Sequence, residues 1–155
     1  MMRFVIDPAD PRALRRDDFP VLRAVPTRWD DDDVYGHLNN VVHYKMFDTT
    51  VNGWLMSATG TDIRRLPAIG LVVETSCRYF AELHFPQVVL VGLGSERVGT
   101  SSVVYRLALF GEDDAPEAGP AAVGRFVHVY VDAVTRRPVP VPEVVRSALG
   151  QLQTG

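Results

Sequence analysis

A single cysteine, Cys77, stands in a chain of 155 residues. That excludes an intramolecular disulfide and any metal cluster built on several thiolates. Basic charge is also short: 16 Lys and Arg face 19 Asp and Glu, for a net charge of −3. Without a cationic excess to neutralise phosphates, generic nucleic-acid binding is disfavoured. Long apolar runs are missing. The stretches Ala68 to Val73 and Val88 to Leu93 are far below the roughly 20 residues a bilayer-spanning helix needs. The N-terminal MMRFVIDPADPRALRRDDF has no apolar centre of the kind a secretory signal carries. A cytoplasmic chain that spans no membrane is the expectation. What is present is a composition of 46% hydrophobic and 23% charged residues, ordinary for one folded domain and incompatible with wholesale disorder.

Residues 1–20 are rich in Pro, Asp and Arg and read as an irregular lead-in to a single domain over 21–155. Val21 to Thr27, a short apolar run broken by Arg23 and Pro26, predicts an edge strand. Asn39 to about Ala58 is the only long helical pattern, with Tyr44, Phe47, Asp48, Val51 and Leu55 on one face. Asn39 or Asn40 suits its N-cap and Gly60 its end. The period then changes to that of strands, over Ala68 to Ala81, Val88 to Val98, Ser101 to Phe110 and Gly124 to Asp132. Pro138, Pro140 and Pro142 stop the last, and Glu143 to Leu149 predicts a final helical turn or two. An order of strand, helix and four hairpin-like strands predicts an α+β fold, one helix on an antiparallel sheet, and not a doubly wound parallel sheet.

No nucleophile elbow, Walker loop or paired-histidine zinc helix occurs. His37, His43, His84 and His128 are scattered along the chain, which argues against a metal site. Cys77 lies inside a strand pattern and reads as a small buried hydrophobe. What remains is Arg28-Trp29-Asp30-Asp31-Asp32-Asp33-Val34-Tyr35-Gly36-His37-Leu38-Asn39-Asn40. Asp30 to Asp32 read as a solvated acidic loop. Asp33 stands just before a turn that leads into the helix. There a carboxylate lies near unpaired N–H groups and the positive end of a helix dipole. Such donors suit an oxygen that turns negative in acyl transfer, and a carboxylate beside them suits a base or nucleophile.

That segment, followed by Tyr44, Phe47 and Asp48, resembles the hotdog-fold acyl-CoA thioesterases of the 4-hydroxybenzoyl-CoA thioesterase type. They share an Arg-aromatic pair, D-x-D, G-H and N-N, then Phe and an acid on the helix. The resemblance spans about Val21 to Pro142 and takes in Arg78-Tyr79, Gly99-Thr100-Ser101-Ser102 and the closing stretch from Asp132. It implies a hotdog fold, with one long helix packed on a five-stranded antiparallel sheet. It implies an acyl-CoA substrate, no cofactor or metal, and a homodimer or homotetramer with sites at the subunit interface. It places the catalytic aspartate on Asp33 and the thioester pocket around Gly36, His37, Asn39, Asn40 and Asp48. Helix N–H groups near Asn40 and Val41 would polarise the carbonyl. Asp48 on the apolar stripe has two readings: a buried anchor, slightly favoured, or an acid that positions water. The sequence departs from many relatives at Thr49, Thr50 and Val51, where an acid-Ala-Arg ending is common. Arg64, Arg65, Arg78 and Arg97 are available for the CoA phosphates. Two other classes stay open: a non-catalytic acyl-CoA-binding protein, and an enoyl-CoA hydratase using Asp32 and His37.

Overall fold

The structure, a computed structural model, describes residues 10–153; residues 1–9 of the expected lead-in and 154–155 lie outside it. Strand β1 (Val21–Pro26) comes first, followed by helix α1 (Asn40–Thr59). Strands β2 (Ala68–Tyr79), β3 (Val88–Val98), β4 (Ser102–Gly111) and β5 (Ala122–Asp132) follow, then helix α2 (Glu143–Leu149). The five strands form one antiparallel sheet in the order β1-β3-β4-β5-β2. One long helix against such a sheet is the hotdog arrangement that the sequence resemblance implies.

Helix α1 starts where Asn39 accepts the Val41 N–H at 3.0 Å through its side chain. It ends at Gly60, whose φ of 66° is the left-handed conformation that glycine adopts without a Cβ penalty. Its buried residues are His43, Met46, Phe47, Thr50, Val51 and Leu55. That face is rotated from the expected stripe, so Asp48 is exposed and is no buried anchor. Among the described residues, the Asp48 carboxylate accepts from Asn52 Nδ2, one turn on, at 3.2 Å. Phe47, fully buried, packs edge-on to Phe126 and lies against Gly124, where a Cβ would run into the ring. Burying one such side chain stabilises by about 1.5–3 kcal/mol.

In β5, Phe126, His128 and Tyr130 face the helix and Val127 and Val129 face away, as the alternation predicts. The expected run of four successive hairpin-like strands is corrected in one place. β2 pairs with β5, not with its sequence neighbour β3, and so forms the far edge of the sheet. The connection from Phe80 to Gln87 crosses beneath α1 and is held by Leu83, which is buried, and by the Leu38 N–H on the Leu83 carbonyl at 2.7 Å. Helix α2 closes the open end, with Val145 and Leu149 in the core. Arg146 donates to the carbonyls of Gly99 and Thr100 in the β3–β4 turn, at 2.8 and 3.0 Å. On the outer face of the sheet, Leu14 and Phe19 are buried against Ala108 and Phe110. Gly92 leaves room there for the Phe19 ring.

Candidate active site

The acidic run folds as a short hairpin and not as a solvated loop. Asp31 is buried, and its carboxylate accepts the Arg28 N–H at 2.8 Å while its carbonyl accepts the Asn39 N–H at 3.0 Å. Asp32 Oδ1 accepts the Phe85 N–H at 3.0 Å. Only Asp30 of the three is exposed. Both exceptions have one cause: a carboxylate beside an unpaired backbone N–H accepts from it, and that bond favours holding the charged group in place.

Asp33 opens the turn at the hairpin tip. Its carbonyl accepts the Gly36 N–H at 3.1 Å, and its N–H donates to the His37 carbonyl at 3.0 Å. Gly36 has a φ of 83°, a value that strains any other residue. One Asp33 carboxylate oxygen accepts the Tyr35 N–H at 2.8 Å, which fixes the side chain and leaves its other oxygen free to act. Leu38, buried, anchors the hairpin, and Asn39 passes the chain directly into α1. Asp33 therefore stands one short turn from the helix N-terminus because Gly36 permits the reversal and Leu38 and Asn39 end it.

A cleft of about 470 Å³ opens between this hairpin, the first turn of α1 and the chain from Tyr79 to Leu83. Asp33, His37 and Asn40 line it. Gly36 and Asn39 do not; they shape the turn and cap the helix. Asp48 lies further along α1 and is absent from this lining. The Val41 N–H is taken by Asn39 Oδ1, and the Val42 N–H by the Asn39 carbonyl at 2.9 Å. The Asn40 N–H, the first of the helix, has no acceptor among the described residues.

The lining holds four polar residues that were not among the expected site residues: Tyr35, His43, Tyr79 and Glu82. His43 is buried, meets Tyr79 edge-on at 4.8 Å and has Nδ1 at 3.2 Å from the Asn39 carbonyl. Burial lowers its pKa, the Asn39 carbonyl opposes that, and His37 lowers it further, so the ring is neutral near pH 7. Burial, with Cys77 beside it, raises the Tyr79 pKa and keeps the phenol protonated. The signal for His43 was present, four residues after Asn39 on one helix face. Tyr79 stood within the resemblance without an assigned role, and Glu82 had no signal, because the place of both depends on β2 being an edge strand. Among the described residues, no three His, Cys, Asp or Glu side chains converge as a metal ion would need.

The chain is 46% identical to the PA5185 protein of Pseudomonas aeruginosa, whose crystal structure it matches with a TM-score of 0.85 over 91% of this chain and 96% of that one. The fold is also that of a 1,4-dihydroxy-2-naphthoyl-CoA thioesterase from Synechocystis, at a TM-score of 0.76, 17% identity, and 84% and 96% coverage. It is shared as well with a thioesterase complexed with coenzyme A and Zn from Thermus thermophilus, at a TM-score of 0.72, 24% identity, and 88% and 96% coverage. No protein of curated description matches the chain. Residues 27–149 match the thioesterase-like superfamily, which takes in the Asp33 hairpin, the walls of the cleft and α2. The chain belongs to the thioesterase-like superfamily and is a thioester hydrolase of hotdog fold.

Proposed function

We propose that the chain hydrolyses an acyl-CoA thioester to the free acid and CoA in the cleft at the N-terminus of α1. The observation that carries this reading is the meeting, in one cleft, of the Asp33 carboxylate and the unpaired Asn40 N–H. In the proposed reaction Asp33 takes a proton from water as the oxygen bonds to the thioester carbon, or attacks that carbon itself to give an acyl anhydride that water then hydrolyses to the free acid and the restored carboxylate. The carbonyl oxygen becomes negative and is held by the Asn40 N–H at the positive end of the helix. The C–S bond then breaks, and the departing thiolate takes up a proton as CoA-SH. Val41, named with Asn40 from sequence, leaves this scheme because its N–H is already bound. Gly36, His37 and Asn39 hold the carboxylate and the helix end in place, and the reaction calls for no cofactor or metal.

Arg78, which lies 5.6 Å from the ring of Phe80 on the cleft wall, is the cation taken here for the CoA phosphates. The hydratase reading loses ground because Asp32, its proposed acid, does not line the cleft and holds the Phe85 N–H instead.

The functional unit in this proposal is a homodimer, able to pair again into a tetramer. β2 is twelve residues long, lies at a sheet edge, and exposes Leu71, Val72 and Val73 at 39, 45 and 59%. A long apolar edge is an aggregation hazard unless covered. A second copy of β2, related by a two-fold axis, covers it with one continuous sheet.

The test is Asp33→Asn assayed over a panel of acyl-CoAs with a thiol-detecting reagent. Loss of a catalytic base or nucleophile lowers kcat by about 10²-fold or more, while exposed Asp30→Asn stays near wild type. Hydrolysis by Asp33→Asn within a few-fold of wild type, or release of no CoA by wild type, overturns the reading in favour of a binding protein.

A further inference from the structure

The reaction proposed above uses Asp33 and the Asn40 N–H, and leaves one buried imidazole of the same cleft without a task. His43 is 4% exposed, sits in the first turn of α1 and forms part of the cleft wall. Its Nδ1 lies 3.2 Å from the Asn39 carbonyl. A carbonyl oxygen can only accept, so Nδ1 carries the proton and Nε2 of the neutral ring presents a lone pair. The positive end of the helix dipole also favours the uncharged ring. Nε2 meets no partner among the described residues. It is nevertheless not one of the sealed, unsatisfied polar atoms of the interior, so it opens on the cleft. The helix backbone, the Asn39 carbonyl and the edge-on Tyr79 ring at 4.8 Å hold the imidazole in this orientation. A fixed tautomer whose basic nitrogen opens on the reaction cleft is what a general base requires.

This inference rests on thioester hydrolysis in that cleft, and it decides between the two courses open to Asp33. An ordinary imidazole is a stronger base than an ordinary aspartate by about 2–3 pKa units, and burial takes back only part of that margin for His43. An anionic carboxylate suits attack on carbon, and the imidazole suits taking a proton from water.

We propose that His43 is the catalytic base of a two-step reaction in which Asp33 is the nucleophile. In the first step an Asp33 oxygen bonds to the thioester carbon. The C–S bond breaks and its electron pair leaves on sulfur, so the acyl group is held as a mixed anhydride on Asp33. In the second step water bonds to the acyl carbon as His43 Nε2 takes one of its protons. The C–O bond to Asp33 breaks, the free acid departs and the Asp33 carboxylate is restored. The imidazolium returns its proton to solvent and the thiolate takes one up, which leaves CoA-SH and neutral His43. The Asn40 N–H holds the negative oxygen in both steps. His37, the other imidazole on the wall, belongs to the hairpin, stacked on exposed Tyr35 at 6.3 Å, and is the rival base that the test must separate.

Rapid-mixing measurement of CoA release tests this, with a thiol-detecting reagent and the panel ester that wild type hydrolyses fastest. His43→Gln keeps an amide N–H for the Asn39 carbonyl and removes the base. It is expected to lower kcat by about 10²-fold or more, while the first step still proceeds. The trace should show a burst approaching one CoA per site, then slow turnover. The mass of the acid-quenched His43→Gln chain should rise by the acyl group, whereas Asp33→Asn should show neither burst nor added mass. His43→Ala vacates the place of the ring and serves if His43→Gln does not fold. Added imidazole should raise its turnover by roughly tenfold or more without changing the burst. Turnover of His43→Gln within a few-fold of wild type, or a loss in which burst and turnover fall together, overturns the assignment of His43. So does a His43→Ala chain that imidazole does not rescue, or the burst appearing in His37→Gln instead. Each of these leaves thioester hydrolysis standing. Release of no CoA by wild type from any ester overturns the thioesterase reading and this one with it.

Discussion

The four consecutive aspartates divide by which backbone N–H each one meets. Asp31 and Asp32 are bound to Arg28 and Phe85, Asp33 binds Tyr35 with one oxygen, and Asp30 has only the exposed Arg28 beside it. Exposed ion pairs of that kind contribute little. Asp31→Ala removes a buried acceptor and should cost about 1–3 kcal/mol, read by urea unfolding, so it is unsuitable as a silent control for Asp33. Asp48→Asn, by contrast, replaces an exposed carboxylate whose one partner is a neighbouring amide. It should shift stability by under about 0.5 kcal/mol in the same assay. A larger loss would restore the buried-anchor reading that the orientation of α1 removes.

At the scale of elements, α1 is fixed at its start by Asn39 and at its middle by Phe47 over Gly124. Asn39→Ala should destabilise by about 1 kcal/mol through the lost cap, and should also loosen the turn that orients the Asn40 N–H, lowering kcat. Gly124→Ala adds a methyl where the Phe47 ring already lies. Overpacking of that kind costs about 1–3 kcal/mol or more. Thermal unfolding of both variants checks the pair, and Gly124→Ala should be the worse of the two. The β2–β5 pairing explains why the sequence reading of successive hairpins failed for one connection. Local period identifies a strand, but two adjacent strands in the chain need not be neighbours in the sheet.

Across the whole molecule, assembly and acidity are the two properties that follow. Leu71→Lys with Val73→Lys places like charges on the open β2 edge, where the strand would meet its own copy. Light scattering should show a monomer, with hydrolysis reduced at least tenfold in proportion to the loss of the interfacial site. Retained activity in a proven monomer would sink the interfacial model. His43 and His128 both have pKa values lowered by burial. Their unfolded forms, with pKa near 6.5, bind protons that the folded forms refuse. Stability from these groups is complete above about pH 6.5 and is lost as pH falls towards their folded pKa values, by up to about 1.4 kcal/mol per pH unit for each proton. Melting temperatures from pH 7 to 5 should fall less steeply in His128→Leu than in wild type.

The 3.6-residue period from Asn39 and the two-residue periods after it determined the element order, since local sterics and patterning act within a few residues. The Asp33-to-Asn40 motif determined where a carboxylate and a helix end would meet, because Gly36 and the Asn39 cap act locally as well. Tertiary structure alone decided the rest. The rotation of α1 exposed Asp48, and the crossing of Phe80 to Gln87 brought Tyr79, Glu82 and Leu83 to the cleft. The place of β2 at the sheet edge put His128 beneath an open strand. Each depends on contacts between residues dozens of positions apart, whose pairing is set by how the whole core packs and not by any local pattern.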